Sequence, residues 1–205
     1  MTDARARILA RLKVAGSLEP NEPREPFEPP EPPEPPEPLE RFLRELTALG
    51  VEHHIEATVD AVRARVAAIV GDQPVLRWDA DRLPYGVGEL LENAATGSSP
   101  RDVQAAAAVG VTGCDAAIAE TGSLALVSAR GKPRSASLLP PTHVAIVRAD
   151  QLRPTMGAFF AERGTEVTAA SGCTFVTGPS RTADIELTLT VGVHGPGRVV
   201  VIVGP

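Results

Sequence analysis

A polar segment between apolar flanks carries many of the chain's anion-binding side chains. Residues 173–178, "CTFVTG", have the composition of a strand, and the loop "GPSRTADIE" follows at 178–186. Gly178 permits close approach of the backbone to a ligand. Ser180 and Thr182 supply hydroxyls, Arg181 supplies a guanidinium, and a following helical turn would add free amides. The loop therefore predicts a site for a small anion.

The same loop also fits a purely structural turn. Ser180 or Thr182 can act as a helix N-cap, and Asp184 in the first turn would be stabilised by the helix dipole. Arg181 would then be a solvated surface charge. Neither the GxxxxGK[ST] nor the GxGxxG spacing follows a predicted strand, so nucleotide binding of those kinds is unsupported. Spacing alone leaves both interpretations of the loop open.

Glu120 is a second candidate for chemistry, in the segment "AETGS" at 119–123. As a carboxylate lining a cleft it could be a nucleophile or general base, which requires a dry pocket and a raised pKa. As a structural acid it would form a hydrogen bond at a turn made by Gly122. The sequence does not separate these two roles.

The four histidines do not predict a metal site. His53 and His54 are adjacent on a predicted strand, so their side chains point to opposite faces. His143 opens an apolar strand, and His194 lies in the turn "GVHGPG". A metal ion would require these last two to converge with a carboxylate, so we expect histidines that orient loops by hydrogen bonding.

Helical and strand patterns alternate from residue 39 onward. The periodicity predicts helices at 39–50, 58–71, 86–93, 102–108 and 153–164, and strands at 51–55, 74–78, 109–112, 142–148, 173–178 and 198–204. This alternation predicts an α/β fold with an open, mainly parallel sheet and helices on both faces. Ligands of such sheets bind beyond the carboxyl ends of the strands, so we expect the loop at 178–186 to lie there.

The charge distribution separates three regions. From Glu19 to Glu40 a glutamate occurs at every third residue, with ten prolines between them. Proline excludes helix and interior strand, so residues 18–38 are predicted to be a disordered or polyproline II linker. Residues 1–17 predict an amphipathic helix, and residues 39–205 form the main domain. The negative charge of those eight glutamates exceeds the chain's net charge of −6, so the main domain is near neutral. A near-neutral domain gives no support for nucleic-acid binding.

Composition also limits location and cofactors. No apolar run is long enough for a membrane span and no secretory signal is recognised, so we expect a cytoplasmic protein. The two cysteines, Cys114 and Cys173, are far apart, which argues against a disulfide framework or a zinc site. We expect both thiols to be reduced and buried.

Four motifs together resemble the LUD domain of the lactate utilization protein C family. They are "AETGS" at 119–123, "LLPPTHV" at 138–144, "GPSRTADIE" at 178–186 and "GVHGP" at 192–196. The resemblance covers residues 39–205, with Ser123 where the family often has threonine. It implies a fold related to glucosamine-phosphate deaminase, ribose-phosphate isomerase and CoA transferase.

The resemblance further implies a role and a set of site residues. The family is similar to one part of a multi-subunit system that oxidises L-lactate to pyruvate beside iron–sulfur proteins. An iron–sulfur cluster usually takes four cysteine thiolates, so we expect the clusters in partner subunits and no redox cofactor in this chain. Glu120 is the expected catalytic residue. The expected ligand-binding residues are Thr121, Gly122, Ser123, His143, Gly178, Ser180, Arg181, Thr182, Asp184 and His194.

Two functions of different classes are consistent with these motifs. The first is a non-redox subunit of the lactate-oxidising assembly, whose loops at 178–186 and 192–196 bind a small carboxylate or contact a partner protein. The second is a stand-alone enzyme or binding protein for a phosphorylated or CoA-type ligand, with Glu120 as the reactive carboxylate. A third interpretation is that the motif residues only hold the ends of the sheet together.

Overall fold

The computed structural model describes residues 7, 10–11, 37–183 and 189–205, and for residues 182–183 and 189–191 it describes the backbone alone. The predicted helix at 1–17 and linker at 18–38 lie almost entirely outside these residues, as does Asp184. Two compact units are distinguished, Met1–Pro33 and Glu34–Pro205. The following description concerns the second unit.

Six α-helices lie in the described part of this unit. They are Pro38–Leu49 (α1), Val59–Val70 (α2), Val87–Leu90 (α3), Arg101–Ala105 (α4), Ser135–Leu138 (α5) and Met156–Ala169 (α6). Local signals explain their ends. Helix α1 has proline in its first turn and stops at Gly50, whose φ of 72° is left-handed. Helix α2 begins where Thr58 Oγ1 accepts from Ala61 N at 3.2 Å.

The strands form a five-stranded parallel sheet, a four-stranded second sheet and a hairpin. In chain order they are Glu52–Ile55 (β1), Val75–Arg77 (β2), Val109–Thr112 (β3), Ala116–Ile118 (β4), Ser123–Val127 (β5), Thr142–Arg148 (β6), Leu152–Arg153 (β7), Cys173–Val176 (β8), Arg181–Ala183 (β9), Leu189–Val191 (β10) and Arg198–Gly204 (β11). The parallel sheet has the order β1-β11-β6-β3-β2. The hairpin pairs β9 with β10.

Helices cover both faces of the parallel sheet. Adjacent residues of β3 point to opposite faces of the sheet. Helix α5 packs closely on the face of Gly110, since a Cβ atom at Gly110 would lie 1.8 Å from Ala136 O. Arg77, which pairs with Val111 and shares the opposite face, donates to Leu91 O just after α3 at 2.8 Å. The predicted α/β fold with a mainly parallel sheet is confirmed.

The second sheet, of order β7-β4-β5-β8, was not predicted. Its β4–β5 and β5–β8 pairs are antiparallel, and only β7 runs parallel to its neighbour β4. Strands β4 and β5 are buried on both sides: Ala117 and Leu124 join the main core, whereas Ile118 and Val127 pack with Phe159 of α6. The sheet is therefore an inner layer between the main core and α6.

None of the described helices combines the length and the apolar character that crossing a membrane requires.

Candidate functional site

The predicted loops gather around the C-terminal end of α1. A Cβ atom at Gly122 would lie 3.1 Å from Leu49 Cδ1, and one at Gly178 would lie 3.5 Å from Leu49 Cβ. Arg181 Nη2 donates to Leu49 O at 2.6 Å. We call residues 121–123, 177–181 and 192–196 the loop cluster. Both glycines have positive φ, 65° and 89°, so a side chain at either position would add backbone strain to crowding.

Hydroxyl groups connect two segments of the loop cluster. Thr121 Oγ1 donates to Ser123 Oγ at 2.8 Å, and Ser123 Oγ lies 2.7 Å from Thr177 Oγ1. Ser123 is buried, with 2% of its surface exposed. The three hydroxyls therefore satisfy one another and hold the start of β5 against the end of β8.

Within the loop cluster, Ser180 connects residues 177–181 to the turn at 192–196. Its amide donates to Pro196 O at 2.9 Å, and its carbonyl accepts from Gly192 N at 2.9 Å. Gly195 packs against it, since a Cβ atom there would lie 3.5 Å from Ser180 Cβ. His194 is exposed in this turn, and its neighbour Val193 is 54% exposed. The turn thus presents an apolar and an imidazole side chain to solvent.

Arg181 begins a strand rather than a helical turn. The expectation of helix after Ser180 is wrong, because Arg181–Ala183 pairs antiparallel with Leu189–Val191. The backbone of Thr182 pairs with that of Thr190 in this hairpin. The Arg181 guanidinium binds the last carbonyl of α1, where a positive charge also interacts favourably with the helix dipole. The contact that the structure shows for Arg181 is therefore helix capping.

Glu120 lies at the start of α6. Its Oε1 accepts from Met156 N at 2.6 Å, and Thr155 Oγ1 accepts from Ala158 N at 3.0 Å. Two amides of the first turn are thus satisfied by two side chains. Glu120 Oε2 has no hydrogen-bond partner within the described residues. The arrangement is that of a structural acid with one oxygen still open to a further contact.

His143 is buried inside the domain, and no hydrogen bond joins it to the loop cluster among the described residues. Its Nε2 is 2.9 Å from Thr112 Oγ1, and both residues have none of their surface exposed. Its Nδ1 has no partner among the described residues. Burial lowers the pKa of His143 to about 4, so the imidazole is neutral at physiological pH. His143, one of the ten predicted ligand-binding residues, is thus bonded to a core residue rather than to the loop cluster.

The loop cluster lies at the amino edge of the parallel sheet, and the expectation of the carboxyl edge is wrong. Residues 173–176 belong to the second sheet, so their carboxyl end does not meet those of the parallel strands. The turn at 192–196 leads into the start of β11, where Arg198 N donates to Pro141 O at 3.2 Å just before β6. The loops therefore meet near the starts of β1, β6 and β11.

Comparison with known proteins identifies the family. The model of the LUD domain matches residues 39–203. The chain belongs to the LUD domain family. "Lactate utilization protein C" of Geobacillus sp. (strain WCH70) is 34% identical over 73% of this chain and 70% of its own length. The protein of the same name from Macrococcus caseolyticus (strain JCSC5402) is 33% identical over the same shares.

A solved structure shows the same fold. The crystal structure of a DUF162 family protein from Deinococcus radiodurans superposes with a TM-score of 0.67 and covers 82% of this chain and 97% of its own. The two sequences are 24% identical, so this likeness concerns the fold alone.

This LUD domain also contains a buried charge pair that the sequence patterns do not predict. Lys132 Nζ lies 2.5 Å from Asp115 Oδ1 and 5.1 Å from the centroid of the Trp78 ring. Asp115 Oδ2 accepts from Val127 N at 2.7 Å. The chain has two lysines and one tryptophan, and this rarity was the available signal. Within the described ranges no three His, Cys, Asp or Glu side chains group closely enough to hold a metal ion.

Proposed function

We propose that this LUD-domain chain is a non-redox subunit of an L-lactate-oxidising system that works with iron–sulfur partner proteins. The observation that carries the proposal is its similarity, at 33–34% identity over 73% of the chain, to proteins named "Lactate utilization protein C". The name of those relatives supports a role in lactate utilization, and the LUD family match over residues 39–203 supports the same domain.

Oxidation of lactate to pyruvate releases two electrons and two protons, so an electron acceptor is needed. An iron–sulfur cluster usually takes four thiolates, and this chain has two cysteines. Burial raises the pKa of the Cys114 thiol, and desolvation also raises that of Cys173, so both resist becoming thiolates. These features support placing the electron carriers in partner subunits.

Within this proposal the loop cluster is the surface that contacts a partner. Its hydroxyls at residues 121, 123 and 177 bond to one another, and Arg181 bonds to Leu49 O. Few of its described donors are therefore left for a small ligand. The exposed Val193 and His194 instead offer an apolar contact beside a polar one, which is the composition of a protein interface.

Reconstitution with the iron–sulfur partners tests the proposal. Lactate-dependent reduction of a dye should require this chain, and Val193→Asp should weaken its copurification with the partners at least tenfold. Val59→Asp is the matched control, because Val59 is 43% exposed in the first turn of α2, where an acid is tolerated. An assembly that oxidises lactate fully without this chain would refute the role.

A further inference from the structure

A pocket of about 170 Å³ opens at the carboxyl edge of the parallel sheet, on the edge opposite the loop cluster. Its lining includes Asp81, Arg82, Gly113, Cys114, Arg148 and Gln151. Gly113 and Cys114 directly follow β3, and Arg148 ends β6, the strand beside it. This edge is where open α/β sheets place ligands. We call it the carboxyl-edge pocket.

Two buried amides at this pocket lack an acceptor. Trp78 N donates to Val111 O at 3.1 Å, and the next step of the β2–β3 ladder would pair Gly113 N with Trp78 O. Trp78 O instead accepts from the Arg77 guanidinium at 2.9 Å. Among the described residues, neither Gly113 N nor Cys114 N donates a hydrogen bond. Buried amides are almost always paired, so these two call for an acceptor from outside the chain.

Arginine side chains add positive charge to the same pocket. Arg148 donates through Nε and Nη2 to Asp150 at 2.9 Å each, which leaves Nη1 available. Arg82 Nε lies 3.3 Å from Asp81. The carboxylates are the more solvated partners, at 70% exposure for Asp81 and 68% for Asp150, against 46% and 47% for the arginines. Each arginine is thus paired with an acid, and the guanidinium group is the less solvated member of each pair.

Gln151 closes the pocket without adding a free group. Its Nε2 donates to Cys114 O at 2.7 Å, and its Oε1 accepts from Arg148 N at 2.9 Å. The side chain thus ties the ends of β3 and β6 together. Its oxygen also accepts from Cys114 Sγ at 3.5 Å, so it is not open to a ligand.

The side-chain acceptor that remains in the lining is the Asp81 carboxylate, which lies beside Arg82 and is 70% exposed. The amides of Gly113 and Cys114 and Nη1 of Arg148 are open donors on the inner side, and the ligand that would satisfy them is an anion.

Pro84 also lines the pocket, and the residue that follows it has an unusual backbone conformation. Tyr85 has a φ of 62°, a left-handed value that no other non-glycine residue in the described part of the chain adopts. Arg63 Nη1 fixes this turn by donating to Tyr85 O at 3.3 Å and to Gly86 O at 2.7 Å. Strained backbone persists where the surroundings enforce it, and functional sites are where it concentrates.

From these contacts we propose that the carboxyl-edge pocket binds a small carboxylate anion. A volume of about 170 Å³ holds about five or six water-sized groups, which suits an acid of two or three carbons. Its carboxylate would accept from the amides of Gly113 and Cys114 and pair with Arg148. The assignment of the acid to the 2-hydroxy or 2-oxo class rests on the proposed function. The inference that the pocket binds an anion does not.

Amide chemical shifts of the isolated protein test this site. Acetate, L-lactate, pyruvate and phosphate are titrated separately at constant ionic strength. Carboxylates should shift the Gly113 and Cys114 resonances saturably, and Arg148→Gln should raise Kd at least about tenfold, because it removes a charge-assisted partner. Arg101→Gln, which removes an exposed guanidinium on α4, should leave Kd unchanged.

Each outcome bears on the site. Absence of a saturable shift, or an unchanged Kd in Arg148→Gln, would overturn it. A preference for phosphate over every carboxylate would overturn the ligand class and favour a phosphorylated compound. If carboxylates bind to the pocket but the lactate assay does not need this chain, the proposed function alone would be refuted. If the lactate assay requires this chain but no anion gives a saturable shift at the carboxyl-edge pocket, this inference alone would be refuted.

Discussion

His143 is kept neutral by burial, and this gives the domain a specific dependence on pH. The ordinary pKa of 6.5 applies in the unfolded chain, whereas burial lowers the folded value to about 4. As pH falls below 6.5, His143 binds a proton in the unfolded state but remains neutral in the folded state. The stability contribution is therefore complete above pH 6.5 and is lost between pH 6.5 and about 4.

Denaturant unfolding between pH 7.5 and 4.5 should reveal this loss. His143 alone should reduce the free energy of unfolding by up to about 1.4 kcal/mol per pH unit in that window. His143→Gln keeps a partner for Thr112 but does not titrate, so its pH dependence should be shallower by that amount. Parallel curves for both proteins, or an imidazole resonance that titrates near 6.5 in the folded wild type, would contradict the assignment.

At the scale of single residues, the sequence located important positions better than it explained them. Glu120 and Arg181 were selected for chemistry, and each forms a hydrogen bond to a helix terminus. Carboxylates and guanidinium groups satisfy helix ends as readily as they bind ligands, so residue type cannot separate the two uses. The Asp115–Lys132 pair is not predictable from the sequence, because its members are 17 positions apart and follow no motif.

Glu120 links β4 to α6, so its replacement should act on a secondary-structure element. Glu120→Ala removes the acceptor of Met156 N and should lower the free energy of unfolding by about 1 kcal/mol. Glu120→Gln keeps an oxygen acceptor and should recover much of that loss. Urea unfolding measures both effects.

The same two variants address the predicted catalytic role. If Glu120 acts only on the start of α6, Glu120→Gln should retain lactate-dependent activity in the reconstituted assembly. A Glu120→Gln protein of normal stability and greatly reduced activity would instead show that the charge of the carboxylate takes part in the reaction.

Among the elements, the parallel sheet was predictable and the second sheet was not. Strands β6 and β11 are long apolar runs buried on both faces, which is the signature of a central parallel strand. Strands β4 and β5 are also buried throughout, so periodicity could not show that they face two different layers. Residues 181–183 carry no helical or strand periodicity of their own, and their pairing with β10 determines their conformation.

For the whole molecule, the position of the candidate site depends on which sheet one strand, β8, belongs to. Once β8 is assigned to the second sheet, the loop after it falls at the amino edge of the parallel sheet. At the carboxyl edge, the segments that follow β2, β3 and β6 line the carboxyl-edge pocket. Local pattern predicts strands, but the partner of each strand depends on contacts far apart in sequence.

The packing of α5 on the parallel sheet depends on Gly110, which leaves the least room for a Cβ atom among the glycines of the described residues. A Cβ atom there would lie 1.8 Å from Ala136 O, so α5 could not keep its place on β3. Gly110→Ala should lower the free energy of unfolding by about 3 kcal/mol, because backbone rather than a flexible side chain must move. Gly164→Ala is the matched control: nothing lies within 4 Å of its Cβ position on α6, and the higher helix propensity of alanine should stabilise the protein by up to about 1 kcal/mol. Urea unfolding of the two variants side by side measures both changes, and a Gly110→Ala protein as stable as the wild type would show that α5 does not pack directly on β3.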